Sequence, residues 1–182
     1  MAQIQGFALF DTALGWAGIA WGEAGIARVQ LPDASAADTR ARMQRLCVGV
    51  PEREPPPEVQ AVVDGVTRLL AEGSGDLSQV RLDWSEVPDF HRRVYEIALA
   101  IPPGCTLSYG DIAMRLGDVA LSRAVGQALG RNPFAPVVPC HRVLGAGGKM
   151  TGFSASGGVT TKQRMLLIEN ARLGCEPDLF DL

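Results

Sequence analysis

Short apolar runs separated by glycine-containing turns fill the first thirty residues of the chain. Residues 4–31 contain three such runs, divided at Leu14-Gly15 and at 22–25. Runs of this length with turn residues between them are typical of β-hairpins, so the pattern predicts a three-stranded antiparallel meander. Trp16 and Trp21, both on the second run, are predicted core residues.

Further along the chain, apolar residues recur at every third or fourth position, which is the spacing of one helix face. In 58–72 that face is broad, and Gly73 follows where a helix would end. The helices predicted in this way span 34–47, 58–72, 90–100, 111–116, 122–129 and 161–173. A short strand is predicted at 80–84. These elements indicate an α+β fold, with a sheet-containing domain at 1–85 and a mostly helical domain at 86–182.

Two of the predicted helices are short and are joined by a tight turn at Gly117-Asp118, as in a helix-turn-helix. Ser122 is a candidate N-cap of the second helix. Arg123 lies in its first turn, where the helix dipole does not favour a positive charge. The same helix has small residues that would let a groove wall approach closely: Ala124, Gly126 and Ala128. Many helix pairs of this spacing bind nothing, so the motif alone leaves its role open.

The last predicted helix carries a carboxylate next to its most apolar stretch. Thr160 and Gln163 match a capping box at its start, and Gly174 follows its end. Residues 165–168 lead straight into Glu169. A buried carboxylate would need a partner, for which His141 is the candidate, but a solvent-facing Glu169 fits the periodicity equally well.

The composition describes a folded protein without a membrane span. The chain has 182 residues, of which 47% are apolar and 20% are charged. No apolar run approaches the ~20 residues of a membrane helix, and the N-terminus lacks the basic and apolar regions of a secretion signal. Four widely spaced cysteines and two histidines show no metal-ligand spacing. We therefore expect no metal, no cofactor and a location in the reducing cytoplasm.

Charge is distributed unevenly along the chain. Residues 1–88 hold 7 Lys and Arg against 12 Asp and Glu, whereas residues 89–174 hold 10 against 5. A basic second half suggests an anionic partner, although an ordinary solvated surface explains the same numbers.

The strongest chemical signal is the segment Pro139-Cys140-His141-Arg142-Val143. Prolines at 133, 136 and 139 stiffen the approach to it, and glycines follow it. A neighbouring base or cation lowers the pKa of a thiol, so that more of it is the nucleophilic thiolate at neutral pH. A cysteine in an apolar run is also typical of an inert buried residue, and the pentapeptide alone leaves both interpretations open.

Taken together, these segments resemble the O6-alkylguanine-DNA alkyltransferases, also called methylated-DNA–protein-cysteine methyltransferases. The resemblance spans about 82–174 and is carried by Ser108-Tyr109-Gly110, Arg123-Ala124-Val125-Gly126, Asn132-Pro133, Pro139-Cys140-His141-Arg142-Val143, Gly157-Gly158 and Glu169. It implies that the second domain is winged-helix-like. The first domain matches only in outline, as the family's variable N-terminal domain with a ribonuclease H-like sheet.

The resemblance implies a DNA repair reaction in which an alkyl group moves directly from guanine O6 to Cys140 and stays there. His141 would act through water as the base, and Glu169 would orient His141, which is a nucleophile–base–orienter arrangement. Asn132 would brace the helix-turn-helix against the active-site segment.

The same resemblance implies that the damaged nucleotide is rotated out of the duplex. Tyr109 would press on its phosphate and base, and Arg123 would fill the gap left in the stack. Further DNA contacts are expected from Ser122, Ala124 and Gly126, and the base pocket would be lined by Tyr109, Val143, Phe153 and Ser156. We expect a monomer whose partner is DNA containing O6-alkylguanine, with O4-alkylthymine as an open second substrate.

The chain departs from the family pattern at two places. The loop at 153–156 is about two residues longer than the common form, and Gln127 stands where a small residue is usual. The size of the alkyl group that the pocket accepts and the contacts to the groove are therefore left open.

Two other functions compete with alkyl transfer. One is a non-reactive DNA-binding relative, which would lack the acceptor cysteine, and the other is a cysteine hydrolase, whose cysteine and histidine are usually distant in sequence.

Overall fold

The first half of the chain builds an antiparallel sheet. The computed structural model describes residues 3–173. Its strands β1 (Ile4–Thr12), β2 (Gly15–Gly22) and β3 (Gly25–Gln30) are hydrogen-bonded in the order β1-β2-β3. Both connections are tight turns in which glycine is required, because Gly15 and Gly25 adopt φ values of +119° and +129°. The predicted meander is confirmed.

Two helices cover this sheet. Helix α1 (Ala36–Leu46) begins after Ser35, whose hydroxyl accepts the Asp38 N–H at 3.1 Å. Helix α2 (Pro57–Glu72) packs against β1 and ends at Gly73, which is left-handed with φ +68°. The predicted apolar face of α2 is buried and consists of Val59, Val62, Val63, Val66, Leu69 and Leu70.

Two predictions for this half are wrong. Trp21 is buried, but Trp16 is 43% exposed. Trp16 lies on the opposite face of β2 and next to the turn at its start, where less of the chain packs over it than over the middle of the strand. The strand predicted at 80–84 is reduced to one isolated bridge between Leu82 and Ile26. Among the described residues of β3, Ile26 alone exchanges backbone hydrogen bonds with this segment, so no continuous ladder forms.

The second half is mostly helical. It contains α3 (Asp89–Leu99), α4 (Tyr109–Leu116), α5 (Ser122–Gly130) and α6 (Gly158–Ile168), together with a short parallel pair, β4 (Leu107–Ser108) and β5 (Val143–Leu144). Helix α5 packs against both α3 and α4. The α4–α5 pair occupies the segment predicted as a helix-turn-helix. An α+β fold with a helical second half is therefore confirmed.

The helix starts in this half differ from the predicted ones. Ser122 does not cap α5, since its hydroxyl donates to Val119 O at 2.6 Å across a 3₁₀ turn that precedes the helix. Thr160 and Gln163 form no capping box, because α6 already begins at Gly158. The capping box belongs to α4, where Ser108 and Asp111 bond each other's backbone N–H groups at 3.0 and 2.7 Å.

Helix α6 ends at Ile168, five residues earlier than predicted, and the predicted stop at Gly174 lies outside the described residues. Ala128, one of the small residues of α5 expected to face a groove wall, is instead fully buried, and its carbonyl accepts the Tyr95 hydroxyl at 2.6 Å.

The two halves share one hydrophobic core. Strand β3 is tied to the second half by the Val29 N–H, which donates to Pro133 O at 2.9 Å. The end of α2 meets the end of α6, because a Cβ at Gly73 would lie 2.2 Å from Ile168 O. These two contacts connect the first half to the segments on either side of Cys140. Across residues 3–173, no helix is both long and apolar enough to cross a membrane.

Candidate active site

Cys140 opens a buried 3₁₀ turn, Cys140–Arg142, that leads into β5. The proline-rich approach makes its own backbone bonds, with the Val138 N–H donating to Phe134 O and the Cys140 N–H to Val138 O. Asn132 fixes the same approach from the end of α5. Its Nδ2 donates to Val138 O at 2.8 Å, and its Oδ1 accepts the Phe134 N–H at 2.9 Å. The thiol is therefore held by stiff, internally bonded backbone.

The turn places His141 and Arg142 on one carboxylate. His141 Nε2 lies 2.6 Å from Glu169 Oε1, and the Arg142 guanidinium binds both Glu169 oxygens at 2.9 Å. The third Arg142 bond goes from Nη1 to Ile101 O at 2.6 Å. All three side chains are buried, so each charge depends on its partners. Glu169, whose burial the periodicity left open, is a buried partner of His141.

The protonation of this trio follows from its contacts. Burial by itself would raise the pKa of Glu169, but hydrogen bonds from His141 and Arg142 and their charges lower that pKa to about 2. Burial lowers the pKa of His141. The hydrogen bond and charge of Glu169 raise this pKa, and the charges of Arg142 and Lys162 lower it. A neutral imidazole beside an ionised carboxylate carries its proton on Nε2, which leaves a lone pair on Nδ1.

His141 Nδ1 is the only buried side-chain nitrogen or oxygen in residues 3–173 that has no hydrogen-bond partner. Buried polar atoms are nearly always paired, so an unpaired basic nitrogen next to a cysteine indicates a working site. The carboxylate orients the ring, and the ring presents a lone pair on its other side.

The electrostatic surroundings of Cys140 act in two directions. Burial raises the pKa of the Cys140 thiol, while a hydrogen bond from Asn132, the Lys162 charge and the backbone N–H groups of Cys140 and His141 lower it. The net effect is a raised pKa, opposite to the low thiol pKa that the sequence suggests. Desolvation outweighs the neighbours because the thiol lies in a nearly closed core position. The thiol therefore needs a base in order to react.

Lys162 is a second buried cation near the thiol. Its Nζ donates to Val143 O at 2.6 Å and lies about 6 Å from the rings of Tyr109 and Phe153. Burial lowers the pKa of Lys162, and Cys140 raises it. The carbonyl of Val143, next to the Cys-His turn, therefore accepts a hydrogen bond from a charged donor.

A cavity of about 180 Å³ opens beside Cys140. From the second half it is lined by the end of α5, by Asn132 and Ala135, and by the loop residues Phe153, Ser154 and Ala155. Ser156 is not among the lining residues, and its carbonyl accepts the Thr161 hydroxyl at 2.6 Å. The longer loop is held by Ser154, whose hydroxyl donates to Gly130 O at 3.0 Å.

The predicted DNA-contacting residues lie on α4 and α5. Arg123 is exposed in the first turn of α5, and Ala124 and Gly126 are half-buried beside it. Tyr109 begins α4, and its ring is 3.8 Å from where a Cβ at Gly126 would lie. The Tyr109 oxygen also accepts the Thr151 hydroxyl at 3.2 Å. Tyr109 therefore lies between α5 and the glycine-rich loop.

Three residues of the site were not singled out from the sequence. Arg142 stands in the Cys-His segment, but no sequence signal indicated that it would bind Glu169. Lys162 falls on the apolar face of α6, and this position was the one sequence feature that could have predicted its burial. Ser154 lies in the loop whose extra length was noted, but its bond to Gly130 O depends on the folded loop. Within residues 3–173 there is no group of three or more His, Cys, Asp or Glu that could hold a metal ion.

Comparisons with known proteins point in one direction. A family model described as 6-O-methylguanine DNA methyltransferase, DNA binding domain, matches residues 89–171. The chain is 43% identical over 127 residues to a methylated-DNA–protein-cysteine methyltransferase of Mycobacterium tuberculosis, and the alignment covers 69% of this chain and 75% of the relative.

Solved structures agree with this result. The M. tuberculosis protein in complex with DNA superposes with a TM-score of 0.71 at 32% identity, covering 91% of this chain and 92% of that one. The O6-methylguanine-DNA methyltransferase of Pyrococcus kodakaraensis superposes with a TM-score of 0.70 at 25% identity, covering 91% of this chain and 99% of that one.

Proposed function

The chain belongs to the methylated-DNA–protein-cysteine methyltransferase family, and from this premise we propose that it repairs DNA by moving the alkyl group of O6-alkylguanine onto Cys140. Each molecule acts once. The observation that carries the assignment to Cys140 is the arrangement of the buried thiol, the neighbouring His141 with a free Nδ1 lone pair, and the ionised Glu169 that fixes His141. The residues in 86–182 supply the chemistry, and those in 1–85 support it.

In the proposed reaction, His141 Nδ1 takes the thiol proton through a bridging water. The Cys140 thiolate then attacks the alkyl carbon, so that an S–C bond forms as the C–O6 bond breaks. The bond electrons go to the guanine, which takes up a proton and is restored. Because the raised thiol pKa keeps Cys140 protonated at rest, the base sets how often the nucleophile is available.

Asn132 and Arg142 act through other residues in this scheme. Asn132 hydrogen-bonds Val138 O and the Phe134 N–H, so it holds the segment that carries the nucleophile relative to α5. Arg142 keeps Glu169 ionised, which in turn keeps the His141 proton on Nε2. Both are positioning residues.

Access to the base requires that the nucleotide leave the duplex, at a cost of a few kcal/mol. In our proposal α5 enters the minor groove, where Ser122, Ala124 and Gly126 contact the backbone. Arg123, exposed in the first turn, occupies the space left in the stack. Tyr109 contacts the extruded nucleotide, whose base enters the cavity beside Cys140 between Phe153 and the end of α5.

The test is the intact mass of the protein after incubation with a duplex that contains O6-methylguanine. We expect the mass to rise by one methylene, with repaired DNA reaching a plateau equal to the active protein. Peptide mapping should place the group on Cys140, and Cys140→Ala should abolish the gain. The product is a thioether, which has no carbonyl for water to attack, so turnover is not expected.

If the amount of repaired DNA exceeded the amount of protein several-fold and Cys140 stayed unmodified, the result would favour a hydrolase instead. A duplex with O4-methylthymine tests the second substrate in the same assay.

A further inference from the structure

The cavity beside Cys140 is closed on one side by the first half of the chain. Strand β3 and helix α1 contribute to its lining, together with the residues of the second half described above. The contributed residues are Arg28, Val29, Gln30, Leu31, Arg42 and Leu46. The Val29 N–H bond to Pro133 O holds β3 next to Asn132, so this wall is attached to the segment that carries the thiol.

This wall is cationic. Arg28 and Arg42 line the cavity from the first half and Arg131 from the second, and no Asp or Glu is among the lining residues. Arg42 is paired with Asp33 at 3.1 Å. Arg28 and Arg131 form no ion pair with any residue in 3–173.

The concentration of positive charge is local. Residues 1–88 are acidic overall, yet two of their seven basic residues face this one small cavity. Arg28 is half-buried on β3 and Arg131 is exposed just after α5, so the two arginines line the cavity from different elements. Two arginines that line one cavity and form no ion pair are well suited to an oxyanion, which guanidinium groups bind with several N–H donors.

We propose that Arg28 and Arg131, supported by Arg42, bind a phosphate of the damaged strand at the mouth of the cavity, so that the first half of the chain contacts DNA. This proposal rests on the proposed function, because a base inserted beside Cys140 brings its flanking phosphates to the cavity mouth. A carboxylate carried by the alkyl group itself would present the same chemistry at the same wall.

The experiment measures binding and transfer for Arg28→Ala, Arg131→Ala and the control Arg45→Ala. Arg45 lies in the last turn of α1, three positions from Arg42, and does not line the cavity. Each lost phosphate contact should weaken duplex binding and lower the slope of log Kd against log salt concentration by about 0.9, and the double variant should lower it by about twice that amount. Arg28→Lys, which keeps the charge, should keep most of the slope.

Three substrates separate the possible results. If the arginines bind a phosphate, each single variant should slow transfer from the O6-methylguanine duplex and from the O6-carboxymethylguanine duplex by the same factor. Transfer from free O6-benzylguanine, which has no phosphate, should be slowed less. A selective loss on the carboxymethyl duplex would overturn the phosphate assignment in favour of the alkyl carboxylate. An unchanged salt slope with unchanged selectivity would show that the wall binds no anion. Failure of the unmodified protein to alkylate Cys140 with any substrate would instead refute the proposed function.

Discussion

Gly73 is the point at which the first half of the chain lies against the backbone of Glu169, whose carboxylate orients His141. A Cβ added there would lie 2.2 Å from Ile168 O and 2.6 Å from Glu169 Cα, whereas ordinary contact begins at 3.4 Å. In Gly73→Ala the end of α6 must therefore retreat by about 1 Å. Glu169 would move with it, away from a hydrogen bond to His141 that now measures 2.6 Å.

Two costs combine in this variant, and the chain offers a control that separates them. Alanine in a left-handed conformation costs about 1–2 kcal/mol, and overpacking adds about 1–3 kcal/mol. Gly49 has φ +75°, close to the +68° of Gly73, but nothing lies within 4 Å of where its Cβ would be. Gly49→Ala should therefore be destabilised only by the left-handed alanine. The difference in unfolding free energy between the two variants then measures the cost of overpacking at Gly73.

The assay is the rate of alkyl transfer from free O6-benzylguanine, measured well below the unfolding temperature of each variant. A displacement of about 1 Å in a catalytic constellation costs up to roughly 100-fold. We expect Gly73→Ala to slow transfer by about 10- to 100-fold, with Gly49→Ala close to the unmodified protein. Equal stabilities for the two variants, or a destabilised Gly73→Ala that transfers at the normal rate, would refute the idea that α2 sets the position of Glu169.

Three further predictions concern single side chains. Arg123→Ala should slow repair of a duplex much more than transfer from free O6-benzylguanine, because only the duplex requires an extruded nucleotide; equal losses on both substrates would contradict the wedge role. Glu169→Gln should keep the circular dichroism spectrum but slow transfer by at least about tenfold, since a positioned base contributes roughly 10²–10⁴; an unchanged pH dependence of Cys140 alkylation would remove Glu169 from the mechanism. The pKa of Glu169 is about 2 in the folded protein, against an ordinary value of 4.5. Ionised Glu169 therefore stabilises the folded state by about 3 kcal/mol above pH 4.5, and this stabilisation is lost as the pH falls towards 2. Denaturant unfolding from pH 6 to 3 should therefore show a shallower loss of stability in Glu169→Gln, and parallel curves would contradict the assignment.

Local sequence was enough for much of the fold. The meander follows from short apolar runs and glycine turns, and α2 follows from an apolar face repeated over sixteen residues and closed by a glycine. These features are determined by contacts between near neighbours along the chain. The predictions for Trp16 and for the strand at 80–84 failed because burial and strand pairing depend on what a distant segment supplies.

The Cys-His segment and the Glu169 partnership were also visible in the sequence, the first from its motif and the second as one of two open interpretations. Only the tertiary structure decided that Arg142 shares that carboxylate, that Lys162 is buried against Val143 O, and that Arg28 faces the cavity of Cys140. The physical reason is common to all three. A charged side chain is buried or left unpaired according to partners contributed by other elements, and neither periodicity nor composition contains the distances between those elements.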